Sequence, residues 1–199
     1  MPTILALLLA CATTIHAQPI DYTALWDKAT PFDQFLQSVR ARDAQWKSRF
    51  ANAAVTADIL NDMRALTGKR RILVVAMDKC SDSAWAVPYV AKLAAAVPER
   101  LELRVIGPGE GSRIQSAHLT PDGRIATPTI VVLDELNAPI GAWVERPVEL
   151  QAWVIKNRAT VTSEVLHEHM DAWYAKDAGK ATIREIVAVL KKNAAQGGK

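Results

Sequence analysis

Cysteine is nearly absent: the 199 residues hold two, and one of them, Cys11, lies inside an apolar N-terminal stretch. Removal of that stretch, or lipidation of Cys11, leaves Cys80 as a lone thiol, which excludes an internal disulfide framework. Clustered charge is equally scarce. The formal net charge of +3 has no concentrated source beyond Lys69-Arg70-Arg71 and Lys191-Lys192, which read as solvated ends of elements. Without a basic stripe interleaved with aromatics, nucleic-acid binding is not expected. Metal-ligand spacing is missing as well. His167 and His169 flank Glu168, but positions i and i+2 of a helix point to different faces, and His118 stands alone. Gly107-Pro108-Gly109-Glu110-Gly111 lacks the Gly-Lys-Ser/Thr ending of a phosphate cradle and reads as a surface loop. No Ser/His/Asp spacing, internal repeat or low-complexity segment stands out. The sequence therefore implies no metal and no cofactor.

What is present is apolar and organised. Half of the residues are hydrophobic and 23% are charged, enough for one globular unit with a sizeable core. Thr3–Ala12 (TILALLLACA) is too short to span a bilayer but suits a secretory h-region. Ile15-His16-Ala17 ahead of Gln18 supports cleavage after Ala17, so residues 1–17 are expected to be a signal peptide and the protein exported, to the periplasm. Two alternatives stand. Leu8-Leu9-Ala10-Cys11 resembles a lipobox that would anchor the protein through Cys11, and the leader carries no Lys or Arg, which leaves room for a buried N-terminal helix.

Beyond Gln18 the pattern alternates between helix and strand. Thr30-Pro31-Phe32-Asp33 reads as a helix start with Thr30 as N-cap, running to about Phe50. A second helix begins near Thr56, with Ile59, Leu60, Met63 and Leu66 at helical spacing and Gly68 suited to its C-terminal cap. Residues 18–68 thus form a helical extension to a core of residues 69–199, the two making one globular unit. Ile72–Ala76 is a β-branched apolar run of the kind buried on both faces of a sheet, and Glu99–Ile106 alternates as a further strand. A short helix is expected around Ser112–Leu119. Thr129–Asp134 and Ile140–Glu145, joined by ELNAP, predict an antiparallel hairpin. The rest is helical, with Thr182-x-x-Glu185 as a capping box. Trp143, Trp153 and Trp173 fall on different elements and read as core or helix contacts.

The chemistry concentrates where the Ile72 strand ends. Cys80 follows at once, and Ser81, Asp82 and Ser83 are all residues that start helices. A thiol there meets unpaired N–H groups and the positive end of the helix dipole, which favour the nucleophilic thiolate. Lys79 would add to this effect, whereas Asp78 and Asp82 would oppose it. Ser83 is expected to hydrogen-bond the sulfur through its hydroxyl.

Cys80-x-x-Ser83, Pro88 later in the same helix, and Thr127-Pro128 ahead of a strand together resemble the thioredoxin-like superfamily, nearest its bacterial subgroup with helices before the core and a helical tail after it. The resemblance spans roughly Tyr22 to Leu190. It implies an α/β thioredoxin-like fold, a central mixed β-sheet flanked by helices, with extra N-terminal helices and a helical C-terminal tail. It also implies Cys80 as nucleophile, Ser83 beside it, a cis-proline at Pro128, and Thr127 and Pro128 receiving the backbone of a partner. Trp85, five residues from Cys80, would line the site or else belong to the core. Ser83 stands where the family often has a resolving cysteine, so the expected activity is monothiol exchange with protein disulfides or low-molecular-weight thiols. The alternative is a non-catalytic binding module that keeps the same groove in the cell envelope.

Overall fold

The computed structural model describes residues 19–192. The expected leader with Cys11, the cleavage site at Ala17 and the end of the C-terminal tail lie outside the described residues.

In chain order the elements are α1 (Tyr22–Lys28), β1 (Thr30–Pro31), α2 (Phe32–Ser38), α3 (Asp43–Asn52), α4 (Ala57–Arg64), β2 (Arg70–Val75), α5 (Ser81–Ala96), β3 (Leu101–Ile106), α6 (Ser112–Ala117), β4 (Thr129–Leu133), β5 (Pro139–Val144), α7 (Val148–Asn157), α8 (Ser163–Asp177) and α9 (Lys180–Leu190). The strands form one sheet in the order β1-β3-β2-β4-β5. The β2–β3 pair is parallel and the other pairs are antiparallel. This is the expected α/β thioredoxin-like architecture, with strand, helix, strand, helix and hairpin in the predicted order.

The apolar run of β2 is buried because both sheet faces are covered. Ile72 and Val74 pack with the α5 and α9 side, while Leu73 and Val75 meet α1 and α6. β4 repeats the alternation with Ile130 and Val132 on the first side and Val131 and Leu133 on the second. Each such side chain taken from water contributes about 1.5–3 kcal/mol. The β2–β4 register sets Val75 opposite Thr129, so the end of β2 and the start of β4 lie side by side. That register places the Cys80 and Thr127 segments together.

Three expectations fail in whole or in part, each for a physical reason. The helix expected at Thr30–Asp33 does begin there, at Phe32, but its N-cap is Pro31 and not Thr30; Thr30 and Pro31 also pair with Val105 and Arg104 of β3 as a short edge strand. Proline lacks an N–H and is tolerated on a sheet edge. The helix expected to reach Phe50 is two helices, broken at residues 39–42, where Arg42 adopts a left-handed φ of 58°. Periodicity missed the break because Val39, at the interruption, joins the same core cluster as Phe32, with Phe35 and Leu36 packed against it. Nor is Thr182-x-x-Glu185 a capping box. α9 starts three residues earlier, behind Gly179 at φ 79°, and the Glu185 carboxylate accepts instead from Trp143 Nε1 at 2.7 Å and from the Val148 N–H at 3.0 Å. Gly179 has no substitute: a Cβ there would fall 2.2 Å from the Tyr89 ring.

Candidate functional site

Cys80 is the N-cap of α5, and its Sγ accepts a hydrogen bond from the Ser83 backbone N–H at 3.4 Å. The Sγ–H donates to the Thr127 carbonyl oxygen at 3.2 Å. The sulfur therefore bridges the helix start and the segment before β4. The Thr127–Pro128 peptide bond is cis, and Cys80 is a half-buried free thiol. Four of the five residues singled out from the sequence, Cys80, Ser83, Thr127 and Pro128, thus meet at one place.

The role of Ser83 differs in detail from the expectation. Its backbone, not its hydroxyl, reaches the sulfur; Oγ is wholly buried and has no hydrogen-bond partner among the described residues. Trp85 goes elsewhere. Its ring stacks on Tyr174 with centroids 5.3 Å apart, lies 3.2 Å beneath the Arg49 guanidinium, and donates Nε1–H to Asp171 at 2.7 Å. Burial in this stack lowers Arg49 to about 10. Trp85 thereby fastens α5 to α3 and α8. Pro88 is buried within α5.

The three charges flanking Cys80 also separate. Lys79 is exposed, and its carbonyl accepts from Arg42 Nε at 2.9 Å. Asp78 accepts from the N–H groups of Arg40 (3.0 Å) and Ala41 (2.9 Å), which hold its carboxyl below the usual carboxylate range. Trp46 Nε1 donates to the Asp78 carbonyl at 2.9 Å. The break between α2 and α3 is therefore a clamp on the turn that carries Cys80.

Asp82 is buried and ion-paired. Arg146 grips it through Nε at 2.9 Å and Nη2 at 2.7 Å, and the Tyr174 hydroxyl donates to it at 3.0 Å. Burial raises the Asp82 carboxyl, against the opposing charge and hydrogen bonds of Arg146. Arg146 also pairs with Glu145 at 2.9 Å and donates to Gln151 Oε1 at 3.1 Å. Glu145, at a left-handed φ of 66°, donates its backbone N–H to the Pro128 carbonyl at 2.8 Å and takes Arg124 on its carboxylate at 2.9 Å. Arg124 and Arg158 both pair with Asp122. Six ions, three of each sign, thus run from the Cys80 helix to the loop before Pro128.

Sequence reasoning missed this network, since Arg146 and Glu145 lie more than 60 residues from Cys80. The one available signal was Asp82 in the first turn of an otherwise apolar helix, which asks for a partner.

An open cleft of about 500 Å³ lies against the same corner. Leu119, Pro121, Val144, Val148, Ala152 and Ile155 give it an apolar wall, with Arg146 and Gln151 alongside. Among the described residues no group of three His, Cys, Asp or Glu side chains is placed to hold a metal ion. Among them, too, no helix is long and apolar enough to cross a membrane.

The sequence matches the family described as Thioredoxin over residues 29–164. Among solved structures, a protein of unknown function from Pseudomonas aeruginosa is 21% identical at a TM-score of 0.64, covering 87% of this chain and 98% of its own. An HIV epitope-scaffold is 20% identical at 0.66, covering 86% and 98%. At such identities these likenesses speak for the fold alone. No curated protein matches.

Proposed function

The chain belongs to the thioredoxin family, and from that premise we propose that it carries out monothiol thiol–disulfide exchange through Cys80. The observation that carries this reading is a half-exposed thiol at a helix N-cap, bonded by the Ser83 N–H and set against the cis Thr127–Pro128 segment. The unpaired N–H groups and dipole of the α5 terminus favour negative charge on sulfur. The Cys80 thiolate attacks one sulfur of a disulfide R–S–S–R′, forming Cys80–S–S–R and expelling R′–S⁻, which takes up a proton. A second thiolate from outside, R″–S⁻, then attacks the sulfur of R, giving R″–S–S–R and regenerating Cys80–S⁻. Cys80 is the only cysteine among the described residues, so that second thiol comes from a low-molecular-weight thiol or another protein. Thr127 and Pro128 receive the partner's backbone beside the sulfur.

The reading includes export directed by residues 1–17. It is checked by N-terminal sequencing of protein recovered from the envelope, expected to begin at Gln18. Palmitate labelling that disappears in Cys11→Ala identifies the lipid-anchored alternative instead.

Exchange itself is tested by incubating the protein with an excess of a small aromatic disulfide and following thiolate release. Stoichiometric release that disappears in Cys80→Ala supports the reading. An unreacted Cys80 hands it to the second reading, a non-catalytic binding module. The specific support for that module is the apolar cleft beside the site, at whose rim Val148 is 71% exposed and Leu119 47% exposed.

A further inference from the structure

The site has two halves on different elements. Cys80 belongs to the start of α5 and Pro128 to the segment entering β4, and between them the sulfur itself makes a hydrogen bond to Thr127. Behind that bond lies Arg146, whose guanidinium side chain is only 10% exposed. It reaches both halves at once. Through Asp82 it holds the first turn of α5, two residues beyond Cys80, with both carboxylate oxygens engaged. Through Glu145 it holds the residue whose backbone N–H grips the Pro128 carbonyl. Gln151 Oε1 takes a further donor at 3.1 Å, which fixes the plane of the fork. A planar, always-charged, multidentate cation suits this task in a way that a point charge does not.

We propose that Arg146 is a positioning residue which sets the separation between the Cys80 thiol and the Pro128 segment, so that exchange with an extended polypeptide disulfide depends on it and exchange with a small disulfide does not. This deepens the exchange reading and rests on it. A small disulfide needs only the sulfur. A polypeptide must dock its backbone at Thr127–Pro128 while its disulfide lies in line with Sγ, and a shift of the two halves by an ångström costs such a reaction far more than it costs a free collision.

The test measures second-order rate constants for two substrates with wild type, Arg146→Met and Arg146→Lys: a small aromatic disulfide, and an extended peptide carrying the same aromatic thiol as a mixed disulfide on its cysteine. Arg146→Met is expected to slow the peptide reaction about tenfold or more while the small disulfide stays within about threefold, and Arg146→Lys to fall between wild type and Met. A purely stabilising residue would not split the two substrates, because local unfolding exposes Cys80 to both. If Arg146→Met strands Asp82 and does not fold, the double variant Asp82→Leu/Arg146→Met removes both charges together and is measured in its place. Equal slowing on both substrates, or none, overturns the assignment while leaving exchange at Cys80 standing. A wild-type protein inert to both substrates overturns the exchange reading and this inference with it.

Discussion

At the scale of single residues, Ser83 and Trp85 divide the site from its support. Ser83→Cys replaces a wholly buried, unpartnered hydroxyl by a thiol three residues from Cys80. Loss of an unsatisfied buried oxygen is stabilising by about 1 kcal/mol, and the new thiol can resolve a mixed disulfide from within. The variant is expected to reduce insulin faster than wild type with dithiothreitol as reductant; an unchanged rate would mean that the groove does not receive polypeptide disulfides. Trp85→Ala removes a half-buried stack on Tyr174 and the seat of Arg49. It is expected to lower stability by about 2–3 kcal/mol in urea denaturation while leaving the reaction of Cys80 with a small disulfide unchanged. Cys80, Ser83 and Pro128 were legible in the sequence because a strand, a helix start and a proline before a strand are local signals. Arg146 was not. The role proposed for it rests on a pairing across 64 residues that only the folded chain creates.

At the scale of elements, the interruption between α2 and α3 is the instructive case. A helix continued through Val39–Arg42 would satisfy its own N–H groups; here those of Arg40 and Ala41 go to Asp78 instead. Because the folded Asp78 carboxyl lies below its unfolded value, the stabilisation is fully present above pH ~4 and lost as pH falls through that value toward the lower folded one. Asp122, lowered chiefly by its hydrogen bond from Arg124, acts in the same direction. The urea midpoint is therefore expected to fall between about pH 4.5 and pH 3, and to fall less steeply in Asp78→Asn. Equal slopes would show that the loop is not held by that carboxylate. The junction of α8 and α9 carries a second test. Gly179→Ala meets both the positive φ and the Tyr89 ring, and thermal denaturation is expected to show a loss of about 2 kcal/mol or more. The hairpin and the β2 strand were read correctly, since apolar alternation and turn residues are local. The Thr30-Pro31 strand was not, because a two-residue edge has no period and takes its identity from β3.

At the scale of the whole molecule, the N-terminal extension is part of the core. Phe32, Val39, Trp46 and Met63 are buried in the same cluster as Ile72 and Val74 of β2, and Phe35 and Phe50 ring them with aromatic contacts. Four such side chains taken from water contribute about 6–12 kcal/mol at 1.5–3 kcal/mol each, as much as the whole stability of an ordinary domain. A chain beginning at Lys69 is accordingly expected to lack a cooperative melt and to bind a hydrophobic dye; a sharp transition in that truncation would show that the extension is an accessory. The α/β class and the element order could be read from periodicity. That residues 18–68 join the core as one unit was also expected from their amphipathic helices, but which side chains they bury against β2 was not, because an amphipathic face does not say what will cover it.

The sulfur donates one of its two hydrogen bonds and accepts the other. As a thiol, Cys80 is tied to the strand side by the bond it donates to Thr127; as a thiolate or a mixed disulfide it has no hydrogen to give and keeps only the helix-side bond from Ser83. In the proposed exchange, deprotonation of Cys80 thus unfastens a latch between helix and strand, which closes again when the sulfur is reprotonated. In that cycle the Thr127 carbonyl is released before the partner arrives, and is therefore free to accept from the backbone that the proposed exchange would dock there.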